Sequence, residues 1–170
     1  MKTLLFINGP MGVGKTAVCR ALLARLEPGV WLDGDWCWMM RPFRVTEESR
    51  TMVLDNITAL LSRFLRNPEL TYIIFDWVMH QPEIAADILS RLELEGVEVQ
   101  KFTLLCRPDT LRRRLEADAA AGLREPDAVE RGLAYLPLYE KQDTAKIMTD
   151  NLTPEQVAEA VAAHIKGENL

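Results

Sequence analysis

The run Gly9-Pro10-Met11-Gly12-Val13-Gly14-Lys15-Thr16, directly after the apolar stretch Leu4-Leu5-Phe6-Ile7, constrains this chain more than any other feature. A short apolar run cut off by glycine reads as a buried strand that ends abruptly. Glycines at the first, fourth and sixth positions let the backbone curl so that successive N–H groups point inward at an anion. The helix that follows brings its positive dipole end to the same place. Lys15 is then placed for the outer phosphates of a nucleoside triphosphate and Thr16 for a magnesium ion. Gly9, Met11, Gly12, Val13, Gly14, Lys15 and Thr16 together are the candidate cradle.

Short apolar runs alternate with helical periodicity along the rest of the chain, the pattern of parallel strands joined by crossover helices. Strands are expected at Thr3–Asn8, Val30–Asp33, Tyr72–Asp76, Val99–Cys106 and Ala145–Met148. Covering helices are expected from Gly14 to Leu26, from Glu47 to Leu65 and from Ile84 to Leu94, each with an apolar stripe. Pro108 opens a further helix, and Thr153-Pro154-Glu155-Gln156 forms a helix start with a capping threonine. Residues 117–139 carry Gly122, Pro126, Gly132 and Pro137 without a sustained apolar face and read as an irregular, movable segment. No linker divides the chain, so a single domain over 1–170 is expected.

Composition removes several classes of function. With 48% hydrophobic and 26% charged residues the chain folds as a globule, and its net charge of -5 offers no field for a nucleic-acid backbone. Cys19, Cys37 and Cys106 match no metal-ligand spacing and read as reduced thiols of a cytoplasmic protein. The apolar start stops at Asn8, too early for a leader, and no run is long enough to span a bilayer.

The loop Gly9–Thr16, the strand end Asp33-Gly34-Asp35, the strand ending in Asp76, the stretch Leu104–Asp109 with Leu111 and Arg114-Leu115, and Thr153-Pro154-Glu155 recur together in one group. The chain resembles the small P-loop kinases, which include nucleoside monophosphate kinases, shikimate and gluconate kinases and chloramphenicol phosphotransferase. The resemblance implies an α/β three-layer fold: a five-stranded parallel sheet in the order 2-3-1-4-5, flanked by helices, with a small arginine-bearing lid after the fourth strand. It implies ATP and Mg²⁺ as cofactors, and Arg114 against the adenine ring. The second strand departs from adenylate-type kinases by lacking their Thr-Gly-Asp lead-in.

Phosphoryl transfer asks a protein chiefly for positioning and charge neutralisation. Lys15 and the loop amides are expected to do most of this, with Thr16 a direct Mg²⁺ ligand and Asp76 acting on the ion through water. Asp35 lies just past the second strand, where open α/β sheets bind ligands, and is the candidate general base for an acceptor hydroxyl. Asp33, Trp36, Trp38 and Arg41, with Phe43 and Arg44 nearby, are candidate acceptor contacts. Arg124, and with it Arg131, is a candidate to swing onto the transferring phosphate; among Arg112, Arg113 and Arg114 only one or two can face the nucleotide. His80 follows the third strand and is a further candidate acceptor contact.

The expected activity is transfer of a phosphate from Mg·ATP to the hydroxyl of a small molecule, by a monomer or homodimer without nucleic-acid or membrane partners. A nucleotide kinase with a phosphate acceptor, and an ATP-binding protein with no acceptor, are the alternatives. The Asn-Lys-x-Asp guanine signature of GTPases is absent from the sequence.

Overall fold

The structure, a computed structural model, describes residues 1–167; the last three residues of the expected 1–170 domain lie outside the described residues. Its centre is β1 (Lys2–Asn8), whose residues Thr3 to Asn8 are all buried. A strand covered on both faces needs apolar side chains at both odd and even positions, hence the uninterrupted run Leu4 to Ile7. Around it stand β2 (Gly29–Asp33), β3 (Tyr72–Asp76), β4 (Val97–Leu105) and β5 (Ala145–Met148). All pairs are parallel and the order is β2-β3-β1-β4-β5.

Two cores flank this sheet, giving three layers. Leu5 and Ile7 face one core with α1 (Lys15–Leu23), α4 (Pro108–Ala120), α5 (Ala128–Glu140) and α6 (Pro154–Ile165). Leu4 and Phe6 face the other, closed by α2 (Glu47–Arg66) and α3 (Pro82–Ser90). Thr46 and Ser49 cap α2 reciprocally, as Thr153 and Gln156 cap α6. These caps satisfy backbone donors that the first turn leaves free, which is why both helices begin where their sequences signal.

The five strands and every helix except α5 agree with the sequence expectation to within a few residues. The segment 117–139 does not. Helix α4 runs on to Ala120, and α5 buries Ala128, Gly132, Leu136 and Tyr139 along one side. Gly132 hid this stripe because glycine reads as a helix breaker. Here it is a contact point instead: a Cβ at this position would lie 2.6 Å from Leu115 Cδ1, so only glycine lets α5 approach α4 this closely. The irregular part shrinks to residues 121–127, which carry Arg124.

The register places the chemistry. Asp33 stands opposite Asp76 and Ile7 opposite Asp76, so the ends of β1, β2 and β3 meet at one edge of the sheet.

Candidate active site

At that edge the loop between β1 and α1 takes the backbone shape that its glycines allow. Gly9, Gly12 and Gly14 have φ of 148°, 80° and 104°, in the region that side chains resist. A Cβ on Gly9 would also meet the Leu104 carbonyl at 2.7 Å. The loop is anchored by Asn8, whose buried amide oxygen accepts from Gly9 N (2.8 Å) and Met79 N (2.9 Å). Its Nδ2 donates to the Met79 carbonyl at 2.8 Å and to Gln142 Oε1 at 3.0 Å. One fully bonded side chain thus joins the loop, the segment after β3 and the turn that follows α5.

Lys15 Nζ bends back onto the carbonyls of Gly9 (2.8 Å) and Pro10 (3.1 Å). Loss of hydration pushes its pKa below the ordinary 10.5, while Asp76, Asp35 and Asp33 pull it up. An ammonium held only by neutral carbonyls keeps its charge available for a phosphate.

A crevice of about 500 Å³ opens beside this lysine. Met11, Gly12, Gly14, Lys15, Thr16, Asp33, Asp35, Asp76, Arg114 and Arg124 all line it, so ten of the residues singled out from sequence converge there. Asp76 is 1% exposed, and burial pushes its pKa up to about 7, reinforced by Asp33 and opposed by a hydrogen bond from Trp31 and by Lys15. That bond, Trp31 Nε1 to Asp76 Oδ1, measures 2.6 Å. Burial also raises the pKa of Asp33, offset by its bonds with the Asp35 N–H and the Thr16 hydroxyl. Asp33 accepts from Asp35 N at 2.9 Å, capping the 3₁₀ turn Gly34–Trp38 and fixing where Asp35 starts. Asp35 is exposed to the crevice and accepts from Trp77 Nε1 at 3.1 Å. Only a glycine at 34 leaves room for that indole, since a Cβ there would lie 2.5 Å from Trp77 Cγ.

Arg114 donates to the Val13 carbonyl and to Thr149 Oγ1, each at 3.1 Å. It thereby separates the crevice from a second cavity of about 240 Å³ lined by Gly12, Val13, Thr149, Leu152, Pro154 and Val157. One turn further along α4, Asp118 pairs with Arg124 at 2.9 Å.

Other expected contacts fall elsewhere. Trp36 is half-exposed and lies over Trp31 with ring centroids 4.9 Å apart, outside the crevice wall. Trp38 packs into the core of the α2 layer between Phe43 and Trp77. Arg41 is exposed and away from the crevice, because the chain turns outward after the 3₁₀ turn. Arg131 pairs with Asp127 on its own helix, Arg112 and Arg113 point to solvent, and His80 stacks on Tyr135 at 4.8 Å. Sequence reasoning missed the wall residues Ala17, Trp77, Val78, Ala117 and Asp118; of these Trp77 carries a polar group toward a candidate residue. Its position directly after Asp76 was the available signal.

A larger cavity, about 720 Å³, opens at the other edge of the sheet near Lys2, Arg66 and Val97. Lys2 is bonded there to the Asn67 and Leu70 carbonyls, and no loop of inward N–H groups adjoins it. The chemistry-bearing groups are at the carboxyl edge. Their donor set, the Thr16 hydroxyl with the carboxylates of Asp76 and Asp33, is all oxygen and suits a hard ion such as Mg²⁺. The glycine loop and Lys15 suit a triphosphate.

A family model described as AAA domain matches residues 5–130. Among solved structures, the chain is similar to the tunicamycin resistance protein of Deinococcus radiodurans, with TM-score 0.67 and 23% identity over 100% of this chain and 98% of that one. It is similar to a gluconokinase from Sinorhizobium meliloti 1021, with TM-score 0.67 and 18% identity over 96% and 92%. A shikimate kinase from Acinetobacter baumannii in complex with shikimate gives TM-score 0.64 and 17% identity over 98% and 94%. No curated protein sequence matches. Identities this low establish a shared fold and leave the acceptor open. With a family match over residues 5–130, a phosphate loop in place and the 2-3-1-4-5 sheet, the chain belongs to the AAA-domain family of P-loop proteins and has the fold of the small P-loop kinases.

Proposed function

We propose that this protein is a small-molecule kinase that transfers the γ-phosphate of Mg·ATP to an acceptor hydroxyl. The observation that carries the reading is Asp35: a carboxylate with no cation bonded to it among the described residues, opening onto the same crevice as Lys15 and Thr16. In this scheme the amides of Gly12, Val13 and Gly14 hold the phosphates, and Lys15 leaves the Gly9 and Pro10 carbonyls for the outer phosphate oxygens. Thr16 is the direct magnesium ligand, and Asp76, with Asp33 beside it, holds the ion's waters. Bound Mg²⁺ supplies positive charge against the triphosphate. Asp35 takes the proton of the acceptor hydroxyl, oriented by the Trp77 indole. Arg124 leaves Asp118 to neutralise the transferring group, and residues 121–127 act as the lid within one domain. The adenine lies in the cavity beside Arg114, whose guanidinium plane is already held by Val13 and Thr149 and is suited to stacking on a ring.

An alcohol acceptor is favoured over a phosphate acceptor by charge. Asp33, Asp35 and Asp76 line the crevice, whereas Lys15 and Arg114 sit at the loop, Arg124 is paired with Asp118 and Arg41 lies outside. All three cysteines are unpaired, which supports a cytoplasmic enzyme. Among the described residues no helix is long and apolar enough to cross a membrane.

ATP turnover against a panel of hydroxylated metabolites and antibiotics tests the proposal. Acceptor-stimulated ADP release that falls about 10²–10⁴-fold in Asp35→Asn, with Mg·ATP affinity retained, supports it. Mg·ATP binding without stimulation by any acceptor would instead support a nucleotide-binding protein, and an unchanged rate in Asp35→Asn rejects the base.

A further inference from the structure

Strands β2 and β3 exchange indole bonds at their carboxyl ends: Trp31 of β2 donates to Asp76 of β3, and Trp77 after β3 donates to Asp35 after β2. We propose that Trp31 is a positioning residue, holding the Asp76 carboxylate in the orientation that magnesium binding requires. The inference rests on the magnesium role given to Asp76 above.

Three observations carry it. Trp31 stands opposite Ile74 in the parallel register, two residues before Asp76, and shares the face of Asp33, so its ring extends along the sheet toward the crevice. Its single N–H meets Asp76 Oδ1 at 2.6 Å, a short hydrogen bond in a place where Asp76 is 1% exposed. Rotating the carboxylate would forfeit that bond and leave a buried oxygen without a donor.

The ring itself is fixed. It packs against the core of the α1 layer on one side, and Trp36 covers it at 4.9 Å with a 57° tilt. One carboxylate oxygen is therefore committed to the indole, on a residue that also lines the crevice. A buried indole N–H needs an acceptor in any setting; here the acceptor is the carboxylate that also lines the crevice. Trp36, which sequence reasoning assigns to the acceptor, acts here as the cover that keeps Trp31 in place.

Binding of AMPPNP, measured by calorimetry with Mg²⁺ and with EDTA, tests this without an acceptor or turnover. The readout is the factor by which Mg²⁺ tightens nucleotide binding. In Trp31→Phe that factor should fall about tenfold, while metal-free affinity stays within about twofold of wild type. If Trp31→Phe fails to fold, β-(3-benzothienyl)alanine in place of Trp31 keeps the ring's size and removes only the N–H donor. Asp76→Asn is measured alongside. Loss of the Mg²⁺ factor in Asp76→Asn together with a wild-type factor in the benzothienyl protein overturns the positioning role and leaves the magnesium role standing. A wild-type factor in Asp76→Asn overturns the magnesium role itself, and the inference with it.

Discussion

Asp76 concentrates the electrostatic tension of the site. Burial, then the neighbouring charges of Asp33 and Asp35, hold its pKa at about 7 against the Trp31 bond and Lys15, compared with 3.8 for a free side chain. The folded protein therefore keeps a proton that the unfolded chain releases between about pH 4 and pH 7. Stability should fall as pH rises through that window and level off above it. Without metal or nucleotide, Asp76→Asn removes this term, so its melting temperature should gain on wild type from about pH 4 to pH 8. Parallel melting curves by circular dichroism across that range would reject the assignment. The carboxylates themselves were legible in the sequence, because an acid that ends an apolar run must sit at a strand end. Their partners were not, since the oxygen an indole N–H finds depends on the register of a strand forty-odd residues away.

Among elements, α4 forms part of the crevice wall and α5 packs behind it. Leu115 is fully buried between Gly12 of the phosphate loop and Gly132 of α5, where added Cβ atoms would lie 2.7 Å and 2.6 Å from its two methyl carbons. Gly132→Ala should cost about 1–3 kcal/mol and also weaken ATP binding, because Leu115 is pressed onto the loop. Thermal melts and nucleotide titration check both, and an unchanged melting temperature would show that the helices have slack. The Arg124–Asp118 pair is different, being about one-third exposed at each end. Arg124→Ala should change stability by less than about 1 kcal/mol. Its effect is expected in turnover, as a lower kcat with ATP affinity nearly intact. The stripe of α5 escaped the sequence because a glycine at a helix contact and a glycine at a helix end look alike until the neighbouring helix is seen.

For the whole molecule, binding and folding are linked, since the phosphate cradle exists only in the folded chain. Mg·ATP at about 100 times its dissociation constant should add about 2.7 kcal/mol to stability, seen as a rise of several degrees in melting temperature. Lys15→Ala should abolish most of that rise. Absence of the rise in the wild-type protein would remove the nucleotide from the account.

Sequence alone determined what is local in the chain. The loop Gly9–Thr16, the apolar strands, the helix caps at Thr153 and the acids at strand ends follow from spacing and residue chemistry within a few positions. Tertiary structure decided which side chains share the crevice. It chose Trp77 over Trp36 and Trp38 for the wall, brought Arg124 rather than Arg131 to the crevice, and left Arg41 in solvent. Such choices depend on cross-strand register and on how closely helices pack, and neither is written in the spacing of neighbouring residues.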